Sequence, residues 1–418
     1  MNTWRIAPVW TIESGEAEFV ANQTATRAAP LPRIFTVKTQ AKPNAENPSQ
    51  SAANVSRRGF LATAGGVAVA MPFVGMRDGL ASENLNEDAR ESAPLAIARQ
   101  GSFASGGSVL TSPGTFNPFV NGGPGQTLHG DHCYAQFQIP LDPRELPLVM
   151  WHGGGQMGKT WESTTDGREG YQSIFLRRDF SVYVIDQPRR GRAGETTQGV
   201  TVTPTPGDQD LFIAWRLGIW PNFYPDTKFP QTPDALDQFF RQFTVDTGPS
   251  NRTVVTDGVA ALFAKTGPAV LLTHSASGIL GWLTAMKSPN VAAIYAYEPT
   301  DYVFPEGQVP PAMGGQVGNP VALDDFLKLT KIPIRIQYSD HIPTSPSPYP
   351  RLENWRNRVA LGTLMVSAIN QNGGDASILH LPDIGIFGNT HFSFSDVNNI
   401  QIADLLSHWL SEKHLDRR

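Results

Sequence analysis

The stretch Ala269-Val-Leu-Leu-Thr-His-Ser-Ala-Ser-Gly278 constrains this chain more than any other. An apolar run stops at Ser275, which is flanked by small residues, and a second apolar run, Ile279-Leu-Gly-Trp-Leu283, follows at once. The pattern predicts a buried strand, a sharp turn and a helix, with Ser275 at the apex. A hydroxyl there points out of the turn, and the N–H groups at the helix N-terminus favour developing negative charge. Strand and helix backbones approach closely at such a turn, so small residues are needed two positions either side of the serine. Thr273 and Ser277 occupy those places, with Gly278 just beyond, and Ser277 meets the need better than Thr273. Taken alone, the segment also fits an ordinary strand-to-helix turn with Ser275 as N-cap. A bare serine is a weak nucleophile, so a chemical role requires a base and an acid elsewhere in the chain.

Candidates for both exist. Leu379-His-Leu-Pro-Asp-Ile-Gly-Ile-Phe-Gly-Asn-Thr-His391 is a short strand followed by a Gly/Asn-rich loop carrying His391. An amphipathic helix is predicted next, from Ile400, Ala403, Leu405, Leu406, Trp409 and Leu410. A late loop histidine suits the general base, whereas His380 lies within the strand and His274 beside the serine reads as packed. Two carboxylates end strands in the same part of the chain: Glu298 closes Val291–Tyr297, and Asp340 closes Ile332–Tyr338. Both satisfy the order Ser, acid, His, and spacing alone does not choose between them.

Upstream, the strand Leu148-Val-Met-Trp151 runs into His152 and Gly153-Gly-Gly155. Glycines let a backbone approach a substrate and turn its N–H groups inward, as an oxyanion hole requires. The same segment, Gly153-Gly-Gly-Gln-Met-Gly-Lys-Thr160, also fits the phosphate-cradling pattern G-x-x-x-x-G-K-[ST], with the strand ending in Asp186 as a Mg²⁺-holding partner. That nucleotide-binding alternative leaves Ser275 and His391 unexplained.

Trp151-His-Gly-Gly-Gly-Gln-Met-Gly-Lys-Thr-Trp-Glu162, Thr165-Asp-Gly-Arg168, Tyr183-Val-Ile-Asp-Gln187, Gly191-Arg192, His274-Ser-Ala-Ser-Gly278, Glu298-Pro299, Gly388-Asn-Thr-His391 and Asn398-Asn399 together resemble the bacterial esterase 713 family of α/β-hydrolases, over about residues 130–411. The resemblance implies a mostly parallel central sheet flanked by helices, ester hydrolysis, a homodimer, and a Glu as triad acid on the strand after the nucleophile. It therefore favours Glu298 over Asp340. The family's loop after the His-Gly pair varies, and here it is Gly154-Gly155.

The chain has 418 residues and a formal net charge of −5, with no basic cluster interleaved with aromatics, which argues against a nucleic-acid partner. The single cysteine, Cys133, cannot form an internal disulfide and is expected to be simply buried. Residues 1–55 are rich in Ala, Asn, Thr, Pro and Gln without sustained periodicity, and read as disordered. Ser56-Arg-Arg-Gly-Phe-Leu-Ala62, followed by an Ala/Gly/Val stretch to about Val74, reads as a twin-arginine export signal, with cleavage after Ala70 or Ala81. The region before it is long for a signal, so translation from Val37 or Val55 is a further expectation. The apolar stretch is short and broken by Pro72, so no stable membrane span is expected in the mature form. These features give an extension and signal region over 1–81, a linker over 82–100 and a catalytic domain over 101–418.

Within that domain, strands predicted near 103–110, 134–139, 147–151, 181–185, 269–273, 291–297, 333–338 and 376–381 are mostly separated by helical patterns, which argues for an α/β fold. About 193–252 breaks the rhythm with Phe212, Trp215, Trp220, Phe223, Tyr224, Phe229, Phe239, Phe240 and Phe243, and is expected to be a cap insertion. Its aromatics either line an apolar pocket or pack the cap onto the body. The proline-bearing loop 339–351 is a candidate rim.

The reading is a periplasmic or secreted serine esterase for small-molecule esters. Ser275 is the nucleophile, His391 the base and Glu298 its acid, and the N–H groups of Gly154 and Ala276 form the oxyanion hole. It calls for no metal or cofactor, and no H-E-x-x-H spacing is present. Acyl transfer, lactone or amide cleavage on the same triad, and a non-catalytic binding protein of this fold, are the alternatives.

Overall fold

Runs apolar at every position, such as Leu148-Val-Met-Trp151, suit strands buried on both faces, because successive side chains point to opposite sides. The computed structural model describes residues 94–418 and builds a sheet from such runs. The predicted extension, twin-arginine segment, cleavage sites and most of the predicted linker lie outside the described residues.

Two long strands open the domain, β1 (Ile97–Thr111) and β2 (Thr127–Pro140), paired antiparallel. β1 begins inside the last residues of the predicted linker, and the pair is longer than the short strands expected there. Many β1 residues are exposed, so their pattern carries little apolar signal. Then follow β3 (Leu148–Trp151), α1 (Lys159–Glu162), α2 (Tyr171–Arg177) and β4 (Val182–Asp186). The insertion holds α3 (Asp208–Ala214), a ribbon of β5 (Gly218–Ile219) and β6 (Asn222–Phe223), and α4 (Pro233–Arg241). The body resumes with α5 (Arg252–Thr266), β7 (Ala269–His274), α6 (Ser277–Lys287) and β8 (Val291–Tyr297). A short parallel pair, β9 (Val303–Pro305) and β10 (Asn319–Val321), precedes α7 (Leu323–Leu329), β11 (Pro333–Tyr338), α8 (Pro350–Gln371), β12 (Asp375–His380) and α9 (Asn399–Glu412).

The main sheet has eight strands in the order β1-β2-β4-β3-β7-β8-β11-β12. It is parallel from β4 through to β12 and antiparallel only at its opening edge. One apolar cluster, with Val149, Trp151, Leu271 and Ile294, lies against α5, α6, α7 and α8. The other, with Leu148, Met150, Val270, Leu272 and Tyr295, lies against α2, α9 and the insertion. Alternate residues of β3 and β7 thus feed opposite cores. Phe212, Phe229 and Phe239 of the insertion are fully buried in the second cluster, which favours the packing role for these three. Cys133 is buried in the first, and burial pushes its thiol up. Among the described residues, no helix is long and apolar enough to cross a membrane.

Candidate active site

The carboxyl ends of β3, β7, β8, β11 and β12 lie along one edge of the sheet, where open α/β sheets form their ligand sites. Each contributes a loop to the site. β7 ends at His274, and the next residue, Ser275, has φ 55°. A left-handed conformation is uncommon for a residue with a Cβ and costs of order 1–3 kcal/mol, which the surrounding contacts must hold in place. They do so by hydrogen bonds: the Ser275 N–H donates to Tyr297 O at 2.9 Å, and Ser275 O accepts from Gly278 N at 3.0 Å. The small-residue requirement is visible in the same turn. A Cβ on Gly278 would stand 2.4 Å from Pro299 Cβ, and one on Gly281 2.7 Å from Thr273 Cγ2. Gly281 is what accommodates threonine where a glycine is usual. Ser277, the first residue of α6, accepts from His274 N at 2.9 Å.

His391 Nδ1 is hydrogen-bonded to Glu298 Oε2, and both side chains are almost wholly buried. The Glu298 φ of 48° swings its carboxylate away from the strand line, and its other oxygen accepts from Ser339 N at 2.7 Å and from Arg216 Nη2. Burial alone would raise the Glu298 carboxyl. The Arg216 charge and the bonds from His391 and Arg216 outweigh it and hold the group well below the usual carboxylate range. Burial pushes the His391 imidazole below its ordinary value while Glu298 pulls it back up. Asp340 is placed differently: its oxygens accept from His341 N and Gly388 N, each at 2.7 Å, so it braces the loop that carries His391. The ring of His391 packs on His274, with centroids 4.4 Å apart, and His274 Nε2 donates to His391 O at 2.9 Å. Ser275 is therefore one residue from the His274 contact with His391. The structure contains no hydrogen bond between the Ser275 hydroxyl and the imidazole.

The glycine loop meets the elbow. A Cβ on Gly153 would stand 3.1 Å from Ser275 Cβ, and one on Gly154 3.2 Å from Ala276 Cβ. Gly153 N donates to Gln156 Oε1 at 3.0 Å, closing the turn, while the N–H groups of Gly154 and Ala276 donate to no acceptor among the described residues. His152 accepts from Gln187 N through Nε2 and lies 2.9 Å from Gly153 O through Nδ1, which fits a neutral, structural ring.

The nucleotide-binding alternative fails on this geometry. Asp186 accepts from Gly158 N and from the N and Nε of Arg192, so it is consumed within the turn instead of facing a metal. The helix after Gly158 is a single turn, Lys159–Glu162. Among the described residues one group could hold a cation: single ligand atoms of Asp226, Asp340 and His341 lie within 4.8 Å of one another.

Sequence reasoning missed the contribution of the insertion. His391 N donates to Trp215 O at 3.0 Å, Trp355 Nε1 donates to Ala214 O at 2.6 Å, and Arg216 reaches Glu298. On the other side, Thr244 N donates to Gly155 O at 2.8 Å, and Trp215 stacks on Phe243 at 4.8 Å. The sequence signal available was only a cluster of aromatics in the right place. Asp396 was also missed: its buried carboxylate accepts from Thr390 N, Thr390 Oγ1 and Asn389 Nδ2, and burial raises it to about 7.

No protein-family model matches the chain. Over 315 residues, 67% of this chain and 86% of the other, it is 29% identical to a probable secreted lipase of a fungal species. A solved structure described as a novel bacterial esterase matches with a TM-score of 0.64 and 29% identity, covering 77% of this chain and 98% of that one. That likeness spans nearly the whole of the solved esterase. The chain has an α/β-hydrolase fold and is similar to a bacterial esterase and to a secreted lipase.

Proposed function

We propose that the protein is a carboxylesterase working through a Ser275–His391–Glu298 triad and an acyl-enzyme. It is an ester-hydrolysing serine hydrolase, and the observation that carries the finer reading is the buried Glu298–His391 pair beside a left-handed serine elbow. Ser275 Oγ attacks the ester carbonyl carbon while its proton passes to His391 Nε2. The imidazolium returns that proton to the alcohol oxygen as the carbon–oxygen bond breaks, leaving Ser275 acylated. Water then attacks the acyl carbon, its proton moving through the same ring, and the acid leaves with the serine hydroxyl restored. Glu298 fixes the tautomer with hydrogen on Nδ1 and stabilises the imidazolium.

The N–H groups of Gly154 and Ala276 receive the oxyanion, and loss of one such donor costs roughly 3 kcal/mol in the barrier. Their adjacency, and the lack of an acceptor for either among the described residues, support this assignment. The 193–252 insertion serves as a cap, with Trp215 and Arg216 against the His391–Glu298 pair and Phe243 beside Gly155. The substrates are small-molecule esters, with no nucleic-acid partner. Export through the Ser56–Ala62 signal to the periplasm or exterior belongs to the same reading, and a relative described as secreted supports it. A homodimer rests on the family likeness alone.

Turnover of 4-nitrophenyl acetate and butyrate by wild type, Ser275→Ala and His391→Ala tests the proposal. Hydrolysis by the wild type and none by either folded variant is the expected result. Undiminished turnover in one variant removes that residue from the mechanism.

A further inference from the structure

One fully buried charge next to the triad has no role in the mechanism above. Arg216 follows α3, adopts φ 59° and is 0% exposed. Its Nη2 donates to Glu298 Oε1, and its Nε donates to the Asp340 carbonyl at 2.7 Å. Its guanidinium carbon lies 4.8 Å over the Trp355 ring, and that ring packs against His391 with centroids 4.6 Å apart. Nη1 is buried without a hydrogen-bond partner.

Burying a guanidinium with an unsatisfied donor is costly, and an apolar side chain of similar volume would fill the space without that cost. What the position gains from arginine is therefore its charge and its fork. The fork ties two strand ends, β8 through Glu298 and β11 through Asp340 O, to the insertion. The two preceding residues act on the same assembly, since Ala214 O holds Trp355 and Trp215 O holds the His391 backbone. Three consecutive residues thus seat the base, its acid and the ring packed beside them.

We propose that Arg216 is a positioning residue of the catalytic base: it keeps Glu298 ionised with one oxygen turned to His391, and it offsets the pull of that carboxylate on the imidazole proton. The role rests on the triad reading above. Glu298, at the end of β8, favours the imidazolium. Arg216, after α3, and Arg358, of α8 and also 4.8 Å over the Trp355 ring, oppose it. His274, at the end of β7, is held neutral by burial, and Asp340, beyond β11, has its carboxylate engaged with Gly388 and His341. Asp396, on the His391 loop, is engaged with Asn389 and Thr390.

Without the Arg216 charge, His391 holds its proton to higher pH and Glu298 ionises less readily. Both effects move the acid limb of kcat/KM upward. The test is kcat/KM against pH for 4-nitrophenyl acetate, read at the isosbestic wavelength, in wild type, Arg216→Met, Arg216→Gln and Arg216→Lys. The neutral variants are expected to shift the limb up by about one pH unit, a tenfold loss on the acid side beyond any fall of the plateau. The lysine variant keeps the limb near its wild-type place with a lower plateau, because it retains the charge but loses the fork. A lower plateau or melting temperature in a neutral variant with an unmoved limb would make Arg216 structural only. An equal limb shift in the lysine variant would show that the charge is not the cause. Fluorophosphonate labelling of the wild type separates the two failures. An unlabelled Ser275 refutes the triad and this role with it, whereas a labelled Ser275 with an unmoved limb refutes only Arg216.

Discussion

Ser275, Glu298 and Arg216 share a backbone conformation that residues with a Cβ seldom adopt, at φ 55°, 48° and 59°. At Glu298 and Arg216 the turn brings the two side chains into one buried ion pair, and at Ser275 it forms the apex of the strand-to-helix elbow. The carboxylates at the two strand ends are thereby given different tasks. Glu298→Gln would place a wrong hydrogen-bond partner against Nδ1 and is expected to lower kcat by about 10⁴-fold. Asp340→Asn keeps one acceptor for the His391 loop and is expected to cost less than about tenfold. The reverse ranking, measured on the two purified variants, would make Asp340 the acid. The strand-to-helix elbow at Ser275 and the late loop carrying His391 were legible in the sequence, because an apolar run that halts at a small residue and a glycine-rich stretch after a short strand are local patterns. The residue pattern by itself left Glu298 and Asp340 open and only the family resemblance favoured Glu298, since both end strands on the same edge and the backbone turn after each decides which carboxylate faces the imidazole. Arg216 was invisible for another reason: a buried arginine in an aperiodic insertion has the same sequence signature as one on the surface.

Among elements, the parallel strands were the most readable, because burial on both faces makes them continuously apolar. β3, β4, β7, β8, β11 and β12 lie within a residue or two of the positions predicted from apolar runs alone. The opening hairpin was under-read because many residues of β1 face solvent. The contact between α6 and the residue after Glu298 gives a prediction at this scale. A Cβ on Gly278 would collide with Pro299, so Gly278→Ala must push the helix or the acid strand aside. We expect a loss of about 1–3 kcal/mol in urea unfolding, together with a fall in kcat. Gly199→Ala, where a Cβ meets nothing within 4 Å, is the control and should stay within about 0.5 kcal/mol. Equal stability of the two variants would show that the elbow tolerates the extra methyl.

For the whole domain, buried ionisable groups set the pH range over which it stays folded. His152, His274 and His391 are all lowered from 6.5 by burial, so the unfolded chain takes up protons first as pH falls below that value, and stability falls with it. Asp396 works the other way, since its raised carboxyl binds a proton below about 7 that the unfolded chain does not hold until about 3.8. With His341, which burial lowers as well, four histidines against one carboxyl predict a net decline of the urea midpoint between pH 6.5 and 4. Below that, Glu298 and Asp131 add to the loss. Asp131 is held far below the usual carboxylate range by its hydrogen bond and ion pair with Arg189, and its stabilisation is lost as pH falls beneath its unfolded value of 3.8. Asp131→Asn is expected to lower the neutral-pH midpoint and flatten the steepest acid part of the curve. A midpoint that stays level from pH 6.5 to 4 would contradict the buried neutral histidines on which the site is built.

In the proposed mechanism Ser275 is the group acylated. Incubation of the purified protein with a fluorophosphonate, followed by intact mass and peptide mapping, reads this directly. One adduct per chain is expected, on the peptide carrying Ser275, absent from Ser275→Ala and slowed in His391→Ala. An adduct on another residue, or none on a folded wild type, would contradict it.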